Sequence, residues 1–275
     1  MNDYLRNICH GFVLCEKDGV KYFQIPSFVD AGFTKHCFTT RIGGVSEHEY
    51  ATLNLSKTRE KNRQNKKENY KRVCKILDVD YDTLTLVNYA HGDGVRIVSK
   101  SDIGNGITRD CGFEPCDALI TAEKDVTILT LHADCVPIFF ADPVKKTVAV
   151  CHAGWKGIYL DIALNVIEKL VKEFGSQPQD ILIGIGPHIM SCDFEVQADV
   201  MLPFSHKFDT DVVREQNEQY YLDLQKALIK QLKSAGVLAY NITCADLCTY
   251  CNEGLFYSHR RDHGKTGAMG SFIAL

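Results

Sequence analysis

The fold of this chain is decided by the stretch Val150-Cys-His152-Ala-Gly154-Trp155-Lys-Gly157. The apolar, β-branched run at residues 147–151 predicts a buried strand. After the stretch, apolar residues recur every three or four positions over residues 158–174, which predicts an amphipathic helix that ends at Gly175. The stretch therefore joins a strand to the strongest helix of the sequence, with a thiol and an imidazole at the junction.

Strands outnumber helices on both sides of this junction. Further helices are predicted at residues 61–77 and 222–235. Because strands and helices do not alternate regularly, we expect an α+β fold with layered, mixed β-sheets flanked by helices, rather than a doubly wound fold. No internal repeat or linker is visible, so we expect one domain over residues 1–275. The remaining predicted strands lie at residues 12–15, 21–25, 36–40, 83–87, 95–98, 117–121, 126–131, 136–140, 181–185 and 254–258.

The composition excludes several classes of protein. With 45% hydrophobic and 24% charged residues, the chain is neither disordered nor collagen-like. His132 and Asp134 interrupt the most apolar window, residues 126–141, so no membrane segment is expected. Since no signal-peptide pattern is visible, we expect a cytoplasmic protein. Its 12 cysteines then predict thiols, metal ligands or a nucleophile before disulfides.

Charge is distributed unevenly along the chain. The net charge of −4 is too balanced for a dedicated nucleic-acid-binding protein. Residues 57–75, however, contain nine basic and two acidic side chains, a local charge of +7. An RNA-binding helix is one interpretation, but aromatic residues are not interleaved with the charges. This pattern favours a solvated helix face, and we expect no nucleic-acid partner.

Three segments combine glycine with a metal-capable side chain, and they centre on His91, Cys135 and His152. All three residues lie at the ends of apolar strands, where a rigid scaffold can present ligands. Two imidazoles and a thiolate suit Zn²⁺, and three protein ligands leave a position for water or substrate. Because spacings of 44 and 17 residues match no local zinc motif, a buried cysteine and histidines that serve only the core remain the alternative.

The blocks around these residues resemble a known family. They are His132-Ala-Asp-Cys-Val-Pro-Ile and, further on, Val-Ala-Val-Cys-His152-Ala-Gly-Trp-Lys-Gly. They resemble the signature of the YfiH-like family, whose members are also called laccase-domain or polyphenol-oxidase-like proteins. The match runs from about residue 36 to the end, and further blocks agree in order: Phe38-Thr-Thr-Arg41-Ile-Gly-Gly, Cys116-Asp117-Ala-Leu-Ile-Thr, Gly186-Pro-His-Ile and Ser258-His-Arg260-Arg261-Asp.

The resemblance implies a fold, a metal and an activity. The implied fold is a YfiH-like domain related to the cysteine deamidase domain of cytotoxic necrotizing factor. The implied metal is Zn²⁺, bound by His91, Cys135 and His152. The implied activity is that of a purine nucleoside phosphorylase, which converts adenosine, inosine, guanosine or methylthioadenosine and phosphate into base and ribose 1-phosphate, and which also deaminates adenosine. The chain departs from the family pattern at Tyr89, His132 and Ala268, which bears on substrate preference.

Phosphorolysis requires a site for inorganic phosphate. Arginine suits this role because its planar fork binds oxygens bidentately. The candidates are Arg41, in its glycine loop, and Arg260 or Arg261. A surface pair bound to Asp262 is the alternative for the last two. The backbone N–H groups of residues 154–157, which open the predicted helix, are a further candidate.

Deamination requires a proton carrier, and a purine favours an aromatic contact. Asp134 or Glu195 are candidates for the carrier, although Asp134 could equally be a structural acceptor at a strand end. Trp155, the only tryptophan, is a candidate for stacking on the purine, with a place in the core as its alternative. The expected partners are thus a purine nucleoside and inorganic phosphate, and a monomer is expected.

Other functions remain open. Cys135 with His152 or His91 as base would give a cysteine hydrolase or amidase, as in the editing of peptidoglycan precursors. A copper phenol oxidase, or a non-enzymatic protein with a structural zinc, are further alternatives. The spacing of Cys244, Cys248 and Cys251 matches a radical-SAM cluster, but too few residues follow for the barrel such an enzyme needs. A structural metal or buried thiols are favoured there.

Overall fold

The computed structural model describes residues 8–275, so the first seven residues of the predicted domain lie outside the described part. Six α-helices and sixteen strands occur within it. The helices are α1 (Pro26–Ala31), α2 (Arg63–Leu77), α3 (Trp155–Tyr159), α4 (Ile162–Phe174), α5 (Ala198–Phe208) and α6 (Leu224–Ser234). The strands are β1 (Cys9–His10), β2 (Val13–Lys17), β3 (Val20–Gln24), β4 (Lys35–Thr39), β5 (Leu84–Leu86), β6 (Val95–Ile97), β7 (Ala118–Thr121), β8 (Thr127–His132), β9 (Val136–Asp142), β10 (Thr147–Ala153), β11 (Leu182–Ile185), β12 (Glu195–Val196), β13 (Val213–Gln216), β14 (Gln219–Leu222), β15 (Ile242–Cys244) and β16 (Met269–Ala274).

Two large sheets and one small sheet contain these strands. The seven-stranded sheet has the order β1-β15-β11-β9-β10-β7-β6, and the six-stranded sheet has the order β2-β3-β4-β16-β8-β5. Both sheets are mixed: the seven-stranded sheet contains the antiparallel pair β9–β10 and the parallel pair β6–β7, and the six-stranded sheet contains the antiparallel pair β8–β16 and the parallel pair β5–β8. Strands β12, β14 and β13 form the small antiparallel sheet. The predicted α+β fold with mixed sheets is confirmed.

Strands β9 and β10 separate two hydrophobic cores. Successive side chains of a strand point to opposite faces. Phe139 and Val150 therefore pack with the six-stranded sheet, whereas Phe140 and Cys151 pack with helices α4 and α6. Both faces of this central hairpin are buried. The fold therefore has three layers: the six-stranded sheet, the seven-stranded sheet, and the helices α4 and α6. The chain segments at the ends of β8, β9 and β10 are thus anchored to buried strands.

The helix predicted after the opening stretch is two helices. The chain breaks between α3 and α4 because Asp161 adopts a left-handed conformation, with φ of 66°. Its carboxylate accepts hydrogen bonds from Lys207 at 2.6 Å and from Gln231 at 2.5 Å. These contacts from α5 and α6 fix the turn, and apolar periodicity alone could not reveal them. The predicted helices at 61–77 and 222–235 are confirmed as α2 and α6.

The strand predicted at residues 254–258 is wrong. Phe256 and Tyr257 are fully buried, which explains their apolar pattern, but the segment runs in turns. The N–H of Phe256 donates to the carbonyl of Asn252, and the N–H of Tyr257 donates to the sulfur of Met269. The segment is therefore buried without joining a sheet. Within the described residues, no helix is long and apolar enough to cross a membrane.

Candidate active site

Three chain segments bring His91, Cys135 and His152 together. His91 lies in the loop between β5 and β6, Cys135 lies in the turn between β8 and β9, and His152 lies near the end of β10. In the β9–β10 pair His152 faces Pro137, two residues after Cys135. One ligand atom of each side chain lies within 4.8 Å of the other two. The structure thus forms the trio that the sequence predicts.

Asp117 orients one member of this trio. Its Oδ1 atom lies 3.0 Å from Nδ1 of His152, and both side chains are buried. A carboxylate only accepts, so Nδ1 carries the proton and Nε2 remains for the centre of the site. The backbone N–H of His152 also donates to the carbonyl oxygen of Asp117 at 2.7 Å. Asp117 therefore fixes both the position and the tautomer of His152.

The same carboxylate shapes the loop that presents His91. The backbone N–H groups of Ala90, His91 and Gly92 donate to the two oxygens of Asp117 at 2.8–3.1 Å. His91 itself has a φ of 52°, a left-handed conformation that non-glycine residues rarely adopt. Three hydrogen bonds to one carboxylate offset the cost of that conformation. In the sequence, Asp117 stands out only as part of a family block, and that block does not predict this role.

The charges of the trio favour a thiolate beside an imidazolium. Burial alone would raise the pKa of Cys135, but His152 and His91 outweigh it and lower that pKa to about 6. Burial alone would lower the pKa of His152, but Cys135 and Asp117 outweigh it and raise that pKa to about 9. A thiolate is the form of cysteine that attacks electrophiles and binds metals.

Two further ring side chains support the trio. Burial holds the pKa of His132 well below its ordinary value, so this imidazole is neutral. Its Nδ1 donates to the carbonyl of Cys135 at 3.1 Å, and its Nε2 lies 2.8 Å from the hydroxyl of Thr130. The Tyr89 ring stands edge-on to His152, 5.0 Å between centroids. His132 and Tyr89 thus hold the backbone and ring positions around the trio.

The trio lies in a cavity of about 460 Å³. Its lining includes the basic side chains of Lys57, Arg59 and Arg260, the imidazole of His259, and the apolar side chains of Ile189 and Phe194. An apolar lining with a few polar or charged groups is the usual arrangement of a small-molecule site. Lys57, Arg59 and Phe194 were missed because no motif marks them and they come from segments far apart in sequence.

Asp134 lies at the cavity and has its carboxylate fully engaged. Oδ1 accepts from the hydroxyl of Thr249 at 2.6 Å, and Oδ2 accepts from the hydroxyl of Ser258 and from the N–H of Arg260. Asp134 therefore ties the β8–β9 turn to the segment that carries Arg260. This geometry matches the structural acceptor that was its alternative interpretation.

The structure separates the arginine candidates. Arg260 lines the cavity, where its Nη1 donates to the carbonyl of Glu195 at 3.0 Å. Arg41 does not line it. Its guanidinium stacks on the ring of Tyr257 and donates to backbone carbonyls, one of them that of Ala51 at 3.1 Å. Arg261 pairs with Asp262 and donates to three carbonyls, so it holds its own segment together.

Two other candidates lie away from the cavity. Trp155 is 41% exposed and is not among the side chains that line it. Glu195 contributes its backbone carbonyl to Arg260, but its side chain does not line the cavity either. The N–H groups of residues 154–157 open only the short helix α3.

The donor set fits a metal ion of the zinc class. Two imidazole nitrogens and a sulfur of lowered pKa are within reach of a single ion. Asp117 supplies the hydrogen bond that metal-binding histidines characteristically make through their second nitrogen. A Cβ at Gly154 would lie 3.4 Å from the Cys135 sulfur and 3.7 Å from the His91 ring. Glycine therefore leaves the site open on this side.

A family model described as multi-copper polyphenol oxidoreductase laccase matches residues 35–275. The chain belongs to this family. Among curated proteins, a purine nucleoside phosphorylase named YlmD from Bacillus subtilis is 35% identical over 244 residues, which cover 86% of this chain and 87% of that protein. The family resemblance predicted from the sequence is thereby confirmed.

Solved structures confirm the fold. The Bacillus licheniformis hypothetical protein YfiH is 33% identical, with a TM-score of 0.89, over 96% of this chain and 98% of that one. YlmD from Geobacillus stearothermophilus is 32% identical, with a TM-score of 0.87, over 96% of this chain and 98% of that one. The predicted relation to the cytotoxic necrotizing factor domain stays a prediction.

Proposed function

We propose that this protein is a zinc-dependent purine nucleoside phosphorylase. It would convert adenosine, inosine, guanosine or methylthioadenosine and inorganic phosphate into the free base and a ribose 1-phosphate. The observation that carries the proposal is the juxtaposition of the His91, Cys135 and His152 trio with Arg59 and Arg260 in one cavity. The printed name of the Bacillus subtilis relative supports the same activity.

His91, Cys135 and His152 would hold the zinc ion. When bound, Zn²⁺ supplies a Lewis acid to this cavity. Asp117 keeps His152 in the tautomer that presents Nε2, and His132 holds the backbone carbonyl of Cys135. The protein's contribution is thus a set of ligands oriented before substrate arrives.

The two cavity arginines would bind phosphate. Arg59 is anchored through Nη1, which donates to the carbonyl of Thr266 at 3.0 Å, and Arg260 is anchored through Nη1 to Glu195. An anchored guanidinium loses little freedom when its remaining N–H groups bind an oxyanion. Bidentate, charge-assisted hydrogen bonds then orient the phosphate for attack on the sugar.

The apolar part of the cavity lining would bind the nucleoside base. Phe194 offers a ring face, with the Arg260 guanidinium 5.4 Å from its centroid. The Tyr89 hydroxyl accepts the N–H of Leu131, and burial holds the pKa of Tyr89 well above its ordinary value. Tyr89 therefore retains its own proton at neutral pH. That proton is available for an acceptor atom of the substrate.

Adenosine deamination is the finer part of the proposal. It would use the same cavity, with water in place of phosphate as the second substrate. Asp134 is the one carboxylate among the described residues that line the cavity, and its two oxygens already accept three hydrogen bonds. We therefore assign Asp134 to positioning, and we expect Asp134→Asn to displace Arg260. Formation of inosine from adenosine without added phosphate tests this part separately.

A cysteine hydrolase is the second candidate, because one observation favours it. The thiolate of Cys135 lies beside the imidazolium of His152, and the carboxylate of Asp117 orients that imidazolium. A nucleophilic triad contains the same three kinds of group in the same spatial order. Such a site would open amide bonds, for example in peptidoglycan precursors. In that mechanism His152 would be the base, and His91 would only help to lower the pKa of Cys135. A His91→Ala variant that binds no metal and still hydrolyses an amide substrate would favour the hydrolase over the phosphorylase.

The ligand groups do not favour a copper phenol oxidase. Within residues 8–275, two groups of three or more metal-capable side chains occur, and only the trio contains histidine. A multicopper site needs several clustered histidines. Metal analysis of the purified protein, read together with a phenol oxidation assay, distinguishes copper from zinc.

A nucleoside panel tests the proposed function. Each of the four nucleosides is incubated with the protein as purified, with and without phosphate, and the released base is measured by chromatography. We expect base release that requires phosphate and falls by at least about 100-fold in Cys135→Ala, since that variant removes a ligand. Release without phosphate, or full activity in Cys135→Ala, would contradict the proposal.

A further inference from the structure

A second group of metal-capable side chains lies outside the cavity. It comprises Cys192, Asp193, Cys248 and Cys251, and one ligand atom of each lies within 4.8 Å of the others. We propose that this group, the thiol cluster, is a structural binding site for a thiophilic divalent cation of the zinc class. The proposal goes beyond the proposed function, because it concerns a different site and stands whichever reaction the cavity performs.

The spacing of the donor atoms fits tetrahedral coordination. With Zn–S bonds of about 2.3 Å, two sulfurs on a tetrahedron are about 3.8 Å apart. The sulfurs of Cys192 and Cys251 are 3.7 Å apart. The Asp193 Oδ2 atom lies 3.4 Å from the sulfur of Cys248 and 2.8 Å from that of Cys251. Three thiolates and one carboxylate oxygen complete four ligands, the closed set typical of a structural site.

The backbone supports the donors as it does in metal sites. Cys248 is buried, and the N–H of Met190 donates to its sulfur at 3.5 Å. The carbonyl of Cys248 accepts from the side chain and the backbone of Asn252, so a turn presents Cys248 and Cys251 together. Hydrogen bonds that orient ligands are a regular part of metal sites.

The cluster combines one carboxylate with three thiols, and all four side chains are donors to a metal cation. Asp193 Oδ2 already accepts from the thiols of Cys248 and Cys251. A bound dication would take the place of these thiol protons, since cysteine binds metals as the thiolate. The contacts that now hold thiol hydrogens are therefore arranged as a ligand set for a cation.

The cluster joins a segment that lines the cavity to a segment that holds a cavity residue in place. Ile189 and Phe194, from residues 189–194, line the cavity, and Thr249, next to Cys248, donates to the cavity carboxylate of Asp134. The two segments also meet through a β-bridge between His188 and Cys248. A metal ion at the cluster would link these two segments through its ligands.

The sequence pointed to a different trio of cysteines. Cys244, Cys248 and Cys251 have suggestive spacing, but Cys244 is buried within β15 and is not part of the cluster. Its place is taken by Cys192, from a segment more than 50 residues earlier in the chain. Proximity in the fold, which spacing cannot show, therefore selects the ligands.

The test isolates the second site by removing the first. In a Cys135→Ala background, the protein is expressed in zinc-supplemented medium and its metal content is measured. We expect about one equivalent of zinc, and in cobalt-exchanged protein a sulfur-to-cobalt charge-transfer absorption. Cys251→Ser and Cys192→Ser, both at exposed positions, should each lower the metal content to below half an equivalent and abolish that absorption.

A cysteine outside both groups provides the matched control. Cys9→Ser, at an exposed cysteine outside both groups, should leave metal content and absorption unchanged. The proposal is overturned if the Cys135→Ala protein carries no metal, if Cys251→Ser retains it, or if the protein purified under reducing conditions contains a Cys192–Cys251 disulfide by mass. Absence of zinc from the cavity of the wild-type protein would instead count against the proposed function, and it would leave this test unaffected because the cavity site is already removed in the Cys135→Ala background.

Discussion

Asp117 accepts a hydrogen bond from Nδ1 of His152 at 3.0 Å while it also accepts the backbone N–H groups of the loop that carries His91. One buried carboxylate thus orients two of the three ligand side chains, and these come from segments more than 60 residues apart in sequence. We infer that the geometry of the trio depends on Asp117 although Asp117 is not itself one of the three.

Asp117→Asn should therefore weaken metal binding. The amide is isosteric, but its NH₂ group cannot accept, so part of the loop and His152 lose their partner. We expect zinc affinity to fall about 10- to 100-fold, as for other partners of metal-binding histidines. Competition with a chromogenic chelator measures this affinity.

Asp142→Asn provides the matched control. Asp142 is also fully buried and also accepts two backbone N–H groups, from Val144 and Lys145, but it lies outside the site. Asp142→Asn keeps Oδ1, which accepts both N–H groups, and should leave zinc affinity unchanged. Equal zinc affinity in Asp117→Asn and wild type would refute the orienting role.

Gly157→Ala should disturb the His91 loop. A Cβ at Gly157 would lie 2.7 Å from the carbonyl oxygen of Gly92, closer than real contacts allow. The backbone must shift, and we expect a loss of about 1–3 kcal/mol in stability and roughly tenfold weaker zinc binding. Gly254→Ala, where a Cβ meets nothing within 4 Å, is the control for alanine itself. Urea unfolding and chelator competition report the two effects, and unchanged zinc binding in Gly157→Ala would contradict the close approach.

Arg260→Ala should separate phosphate binding from nucleoside binding. Loss of charge-assisted hydrogen bonds costs about 1.5–3 kcal/mol, so KM for phosphate should rise about 10- to 100-fold. Since the ring of Phe194 remains, KM for inosine should change much less. Arg72→Ala, at an arginine that pairs with Glu68 on α2, is the control. A larger rise in KM for inosine than for phosphate would assign Arg260 to the base instead.

The stability of the protein should fall in mild acid because of His36. Burial lowers the pKa of His36 to about 4, and its Nε2 accepts the N–H of Ile25 at 2.9 Å. As pH falls below the ordinary histidine pKa of about 6.5, the unfolded chain binds a proton that the folded protein refuses. The contribution of His36 is therefore complete above about pH 6.5 and is lost as pH falls towards 4.

His36→Gln tests this dependence, because glutamine can keep the acceptor for Ile25 but does not titrate. Between pH 7 and pH 4.5, wild type should lose about 2–3 kcal/mol more in free energy of unfolding than the variant. Urea denaturation at several pH values measures the difference. Parallel pH profiles for the two proteins would rule out the contribution of His36.

Much of the fold could be predicted from local pattern. The hairpin strands β9 and β10 and the helices α2 and α6 were visible because apolar residues repeat at the period of each element. Two features of the fold could not be predicted from the local pattern, for physical reasons. The break at Asp161 depends on contacts from Lys207 and Gln231, and the hairpin of β13 and β14 turns at polar residues with positive φ, at positions 217 and 218.

The site divides in the same way. His91, Cys135 and His152 were predicted because metal-capable side chains follow apolar strands, and the resemblance supplied the pairing. The roles of Asp117 and Arg59 could not be predicted. The sequence alone does not show whether an aspartate or an arginine is buried or which residues it contacts. Arg41 and Trp155 had suggestive sequence context, yet the fold directs them elsewhere. Metal-capable side chains at strand ends can be predicted from sequence. The residues that orient them can be identified only from the three-dimensional structure.

The most direct test of the account is whether phosphate enters the product. Inosine and phosphate are incubated with the zinc-loaded protein, and ribose 1-phosphate is followed by ³¹P NMR while hypoxanthine is followed by absorbance. We predict that the two products form in equal amounts and that neither forms with His91→Ala. Free ribose in place of ribose 1-phosphate, or no cleavage at all, would contradict the account.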